Sequence, residues 1–158
     1  MEKSLKLTNK LEVLLWSIAL PGFGQLLNRK YVKGIVLVAL EFAINIMGRL
    51  NKIIIFSFHG EIELAIESTN YLWLMFYPCV YFFAIWDAYK DAGGGNTDFA
   101  YIPFATAAFI MTIAVIFSSN FTIHGYLIGP VWLPIISVPI GFIIGRGIQY
   151  SINIFIHK

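Results

Sequence analysis

The alternation of apolar and polar positions divides the chain into five apolar stretches separated by short polar or glycine-bearing turns. Four of them, residues 31–48, 71–87, 99–118 and 126–146, come close to the roughly 20 apolar residues that a helix rising about 1.5 Å per residue needs to cross a hydrocarbon core of about 30 Å. These four are expected to span. The first stretch, 11–27, differs, because its apolar run from Leu11 to Leu20 is cut by Pro21, Gly22 and Gly24. Proline lacks a backbone donor and restricts Leu20 away from the helical region, so this segment is expected to be re-entrant or to lie along the interface.

The distribution of Lys and Arg separates the topologies, since cytoplasmic loops carry the excess of positive charge. With a non-crossing first segment, Lys3, Lys6, Lys10, Arg29, Lys30, Lys33, Lys90, Arg146 and Lys158 fall inside and only Arg49 and Lys52 outside, a split of nine to two. Five crossings split the same charges five to six, or six to five with the N-terminus outside. The expected fold is therefore an all-α integral membrane bundle in one domain, residues 1–158, with four spanning helices and an N-terminal re-entrant or interfacial helix. Both termini are expected in the cytoplasm, including His157 and Lys158, with His59, Glu61, Glu63, Glu67 and His124 in outer loops. A cleaved signal peptide over residues 1–20 is the competing account of the N-terminus; no small-x-small site follows it, and the next basic cluster resists export.

Composition agrees with this class. Hydrophobic residues make up 58% and charged residues 13%, against about 45–50% and about 25% in soluble domains. Mean hydropathy is +0.74. A net charge of +2 gives no reason to expect nucleic acid, and the 158 residues leave no room for a soluble catalytic domain beside the helices. The lone Cys79 cannot form an internal disulfide and is expected to be a small buried apolar residue. Neither cofactor nor metal is expected. Metalloprotease, nucleophile-elbow and Walker patterns are absent from the sequence. The Gly93-Gly-Gly-Asn96 run follows a membrane helix rather than a strand, which makes it a loop and not a phosphate cradle.

Pro21-Gly-Phe-Gly-Gln25, Asn28, Tyr31 and Lys33-Gly34 resemble a signature of small bacterial membrane proteins related to the two-transmembrane-helix domain family. Trp86-Asp-Ala-Tyr-Lys-Asp-Ala92 is similar to the second element of that family, with Lys90 where arginine is usual and, in the first element, Leu27 where an aromatic is usual. The resemblance implies a membrane architecture and no assigned activity. On the residues alone, Gly22 and Gly24 permit a sharp turn or close backbone approach, while Gln25 and Asn28 can satisfy backbone groups left by a broken helix. Asp87 at a membrane edge calls for a cationic neighbour, for which Arg29, Lys30 and Lys33 are the candidates. These residues, with Tyr89, form the candidate interaction or structural site. They either lock the N-terminal hairpin to the third span or also bind a partner or lipid headgroup.

Within the second span, Glu41 and Asn45 share a helix face with Gly34, Val38 and Gly48. A mid-membrane carboxylate costs about 2.5–3.5 kcal/mol on insertion scales, so Glu41 is expected to face the bundle interior, with Asn45 as its companion. It reads either as a proton, cation or subunit contact or as a helix fastener. Gly141 and Gly145 are expected at a close helix contact, Pro130, Pro134 and Pro139 at a bend, and the four tryptophans at the interfaces.

Two functions follow as expectations. The first is a non-catalytic accessory or assembly subunit in the cell membrane, embedded in the lipid bilayer and binding another membrane protein or itself. The second is a small oligomeric transporter, channel or lipid-handling protein using Glu41. A dry environment around Glu41 favours the first, and a water-filled one the second.

Overall fold

A computed structural model describes residues 2–156, with side chains from residue 9 onward. The side chains of Lys3 and Lys6, and all of His157 and Lys158, lie outside the described residues. The helix α1 (Glu2–Ala19) starts well before the apolar run, because Glu, Lys and Leu are good helix formers whatever their polarity. Pro21 ends it. Gly22 follows at φ 102°, and the short α2 (Phe23–Leu27) turns back. The expected single element 11–27 is thus a helical hairpin. It stands beside α3 (Tyr31–Gly48) and α7 (Tyr77–Asp91).

Contacts along α7 fix the direction of the hairpin. Lys10 lies against Gly93 just past the end of α7, whereas the Tyr81 hydroxyl donates to the Ile18 carbonyl at 2.9 Å. Asn28 comes back to the level of Ala88. The hairpin therefore descends from the end of the bundle that holds Lys33, Lys90 and Arg146 and returns to it.

Between α3 and α7 the chain folds as α4 (Leu50–Phe58), α5 (Ile62–Ser68) and α6 (Tyr71–Leu74). The stretch expected as a loop after residue 49 thus contains two helices, α4 and α5, and their apolar faces are core. Leu50, Ile53 and Ala65 pack with Leu74, Val115 and Val131. The third apolar stretch is broken between α6 and α7, where Pro78 occupies the first turn of a new helix, the position that best tolerates a missing donor. Together Tyr71–Asp91 still has spanning length.

The last pair is a tight hairpin of α8 (Ile102–Phe117) and α9 (Gly129–Ile156). Joining them is a two-residue β-hairpin, Thr122–Ile123 with Tyr126–Leu127, whose turn residues His124 and Gly125 both have positive φ. This is the one departure from an all-α fold among the described residues. The α8 helix has 16 residues and α9 has 28, so the expected spans 99–118 and 126–146 are corrected to a shorter and a longer helix. Pro103 sets the start of α8, and the apolar tail after Arg146 prolongs α9. Pro130 falls in the first turn of α9, while the helix continues through Pro134 and Pro139.

Three segments, Tyr31–Gly48, Tyr71–Asp91 and Gly129–Ile156, are long and apolar enough to cross a membrane. One other expectation changes. Cys79 is exposed rather than buried, 4.0 Å from the Thr112 hydroxyl. Trp86 and Trp132 pack on Phe104 and Phe58, and the Trp132 indole donates to the Ser57 carbonyl at 3.1 Å.

Gly141 and Gly145 form the close contact expected of them, and the surface they meet is the chain's own α8. A Cβ at Gly141 would lie 2.6 Å from Ala107 Cα, and one at Gly145 would lie 2.6 Å from Pro103 Cα. Gly147 faces open space. Gly141→Leu should therefore destabilise the protein by about 1–3 kcal/mol, the usual cost of overpacking. In thermal unfolding in detergent Gly147→Leu should be neutral; equal losses at both positions would disprove this account.

Candidate functional site

The two sequence motifs meet where α2 seats on α7. Gly24 makes the approach close enough, since a Cβ there would strike Ser17 Oγ and come within 2.8 Å of Ala88 Cβ. Gly22 does the same toward α3, where a Cβ would lie 2.6 Å from the Gly34 carbonyl oxygen. With the backbones this near, short amide side chains reach across. The fully buried Gln25 donates from Nε2 to the Ala84 carbonyl at 2.8 Å and to Asp87 Oδ2 at 3.0 Å. Asn28 donates from Nδ2 to the Ala88 carbonyl at 2.8 Å.

Lys33 completes the network from the first turn of α3. Its Nζ sits 2.7 Å from Asp87 Oδ1 and 3.1 Å from Asp91 Oδ2. Of the three candidate cations this is the one that pairs with Asp87. Arg29 and Lys30 are exposed and make no ion pair among the described residues. Asp91 went unrecognised in the sequence reading, although its spacing of four from Asp87 puts both carboxylates on one helix face. Tyr89 does not join them: it points to the other side of α7, against Gly94 and the Phe104 ring. The Asp-Ala-Tyr element therefore serves two interfaces.

Glu41 is buried at 6% exposure, and the Tyr77 hydroxyl on α7 faces its carboxyl. Its Oε2 has no hydrogen-bond partner. Asn45 is not its companion, because the Asn45 amide donates to Asn51 Oδ1 at 3.1 Å. Glu41 lines neither the large cleft beside α9 nor the groove between α3 and α7. The other members of its stripe pack on separate neighbours, Gly34 on Leu26 and Gly48 on Leu74.

Among the described residues no group of three or more His, Cys, Asp or Glu side chains could hold a metal ion. Compared with known proteins, the chain matches no family model, no curated protein and no solved structure.

The geometry assigns the Lys33–Asp87 pair a modest energy, because the Lys33 side chain is 49% exposed. Asp87→Asn should cost about 1 kcal/mol, as for well-placed partly exposed pairs. Gln25→Leu should cost more, about 1–3 kcal/mol, since it leaves buried acceptors unmatched. Arg29→Gln and Lys30→Gln should leave the melting temperature unchanged, and the exchange Lys33→Asp with Asp87→Lys should recover part of the loss. Failure of that exchange to recover any stability would exclude charge pairing as the source.

Proposed function

We propose that this chain is a cell-membrane protein with four spans and an N-terminal re-entrant hairpin, both termini cytoplasmic, acting without catalysis as an accessory or assembly subunit of another membrane protein. The nine-to-two distribution of basic residues supports the orientation. Re-entry is supported by the course of α1 down α7 and of α2 back to the level of Asp87. The fourth span is α8, laid along α9. The Pro-Gly-x-Gly-Gln and Asp-Ala-Tyr elements support kinship with the two-transmembrane-helix domain family.

The observation that carries the functional reading is how the polar residues among the helices are used. Gln25, Asn28, Lys33, Asp87 and Asp91 fasten helices to one another. Glu41 is buried against Tyr77 and itself lines neither the cleft beside α9 nor the groove between α3 and α7, although Tyr77 does border the cleft. Such an arrangement supports a scaffold over a conduction path. The Gly141–Gly145 face is already covered by α8, which leaves partner contact to other surfaces. Arg29 and Lys30, exposed and without an ion pair among the described residues, suit an acidic element of the partner at the membrane surface.

Affinity purification from native membranes in mild detergent should recover a stoichiometric partner. Arg29→Glu with Lys30→Glu should lower that recovery at least fivefold without changing the melting temperature. A homo-oligomer free of any partner, together with proton or cation flux in proteoliposomes that Glu41→Gln abolishes, would replace this reading with transport.

A further inference from the structure

A cleft of about 690 Å³ lies between α9 and α8 on one side and α1, α4, α6 and α7 on the other. Its lining is apolar apart from the phenols of Tyr77 and Tyr81. The floor is closed by Phe82 and Val115, at most 4% exposed, whereas the rim residues Ile18 and Ile135 are 46% and 50% exposed. The cleft therefore opens sideways, between α1 and α9. A second cavity of about 360 Å³ continues it at the basic end of the bundle and shares Leu14, Phe104 and Phe142 with it.

That second cavity is a polar mouth. Trp86, Tyr89, Asn96, Thr97 and Arg146 line it, and no carboxylate does. Each wall changes character at the same level. On α1, Ile18 and Leu14 line the cleft and Lys10 follows one turn further out on the same helix face. On α9, Ile135, Val138 and Phe142 line the cleft and Arg146 follows. Arg146 makes no ion pair among the described residues, only a long hydrogen bond to Gln149 Oε1 at 3.4 Å. Two cations thus flank the polar end of an apolar slot, beside a tryptophan and a tyrosine of the kind found at headgroup level.

We infer that the cleft holds one anionic glycerophospholipid, with one of its two acyl chains between α1 and α9 and its phosphate at Arg146 and Lys10. Dimensions suit an extended acyl chain: between Pro130 and Phe142 the cleft runs roughly 18 Å along α9 at about 1.5 Å per residue. The depth is close to one leaflet, about half of a core of about 30 Å. Charge favours an anionic headgroup over a zwitterionic one, because Arg146 lines the mouth, Lys10 stands near it against Gly93, and among the described residues no acid lines it. Which leaflet supplies the lipid follows from the orientation proposed above; the site itself does not depend on it.

Native mass spectrometry of the detergent-purified chain tests this, with palmitoyl-oleoyl phosphatidylglycerol and phosphatidylcholine as probes. One phosphatidylglycerol per chain should be retained, with roughly tenfold preference over phosphatidylcholine, given two basic contacts. Arg146→Gln with Lys10→Gln should abolish the preference while an acyl-chain adduct persists. Leu14→Trp and Ile135→Trp, which fill the cleft from opposite walls, should each reduce retention at least tenfold in protein that still elutes and melts as folded. Equal retention of the two lipids by the unsubstituted chain, or retention unchanged in whichever tryptophan variant folds, would overturn the inference. So would a chain dimer, lost on Ile135→Trp, in place of the lipid adduct. Arg29→Glu with Lys30→Glu should leave the lipid adduct intact, so failure here and failure of partner binding are separable.

Discussion

The seating of α2 on α7 is the contact on which the basic end of the molecule depends. A helix that turns back within an apolar layer exposes backbone groups that lipid cannot satisfy, and each such group costs several kcal/mol. The chain meets this constraint with backbone bonds of the turn itself, from Phe23 to Leu20, Leu26 to Gly22 and Lys30 to Gln25, and with the Tyr81 hydroxyl on the Ile18 carbonyl. Gly22 and Gly24 bring backbones together, and the short amides of Gln25 and Asn28 tie the hairpin to the carbonyls of Ala84 and Ala88. Asp87 and Lys33 follow from that placement. Once α2 is seated, the first turn of α3 is delivered beside the last turns of α7, and the ion pair closes a triangle of three elements.

Much of this was legible in the sequence. Apolar run length located the long segments, and the proline and glycines after Leu20 marked the hairpin. The need of Asp87 for a cation narrowed the choice to three residues, one of which pairs with it. What could not be read was which of the three, because Arg29, Lys30 and Lys33 differ only in where a turn of helix points them. Arg29 falls in a left-handed turn at φ 60°, whereas Lys33 rides on α3 and is aimed by it.

Other features were set by tertiary packing, which carries no periodic signature. Asn45 shares a face with Glu41 by spacing, yet the start of α4 places Asn51 within its reach and draws it away. Helix ends moved for local reasons: Pro78 and Pro103 began helices inside apolar runs, and the polar first residues of α1 were helical although no hydrophobic pattern announced them. The cleft left no trace in the sequence, because its walls are contributed by six helices whose separate apolar faces look alike.

In the proposed four-span arrangement, the shortness of α8 has a mechanical consequence for the surrounding bilayer. Sixteen residues cover about 24 Å, some 6 Å less than a typical hydrocarbon core, while its partner α9 is long enough to project beyond it. Locked to α9 by the Gly141 and Gly145 contacts, α8 cannot slide or tilt independently to relieve the difference. With α8 spanning as proposed, the lipid around this edge would have to thin to meet it. At a fraction of a kcal/mol per ångström, that mismatch would make the protein more comfortable in thin membranes than in thick ones.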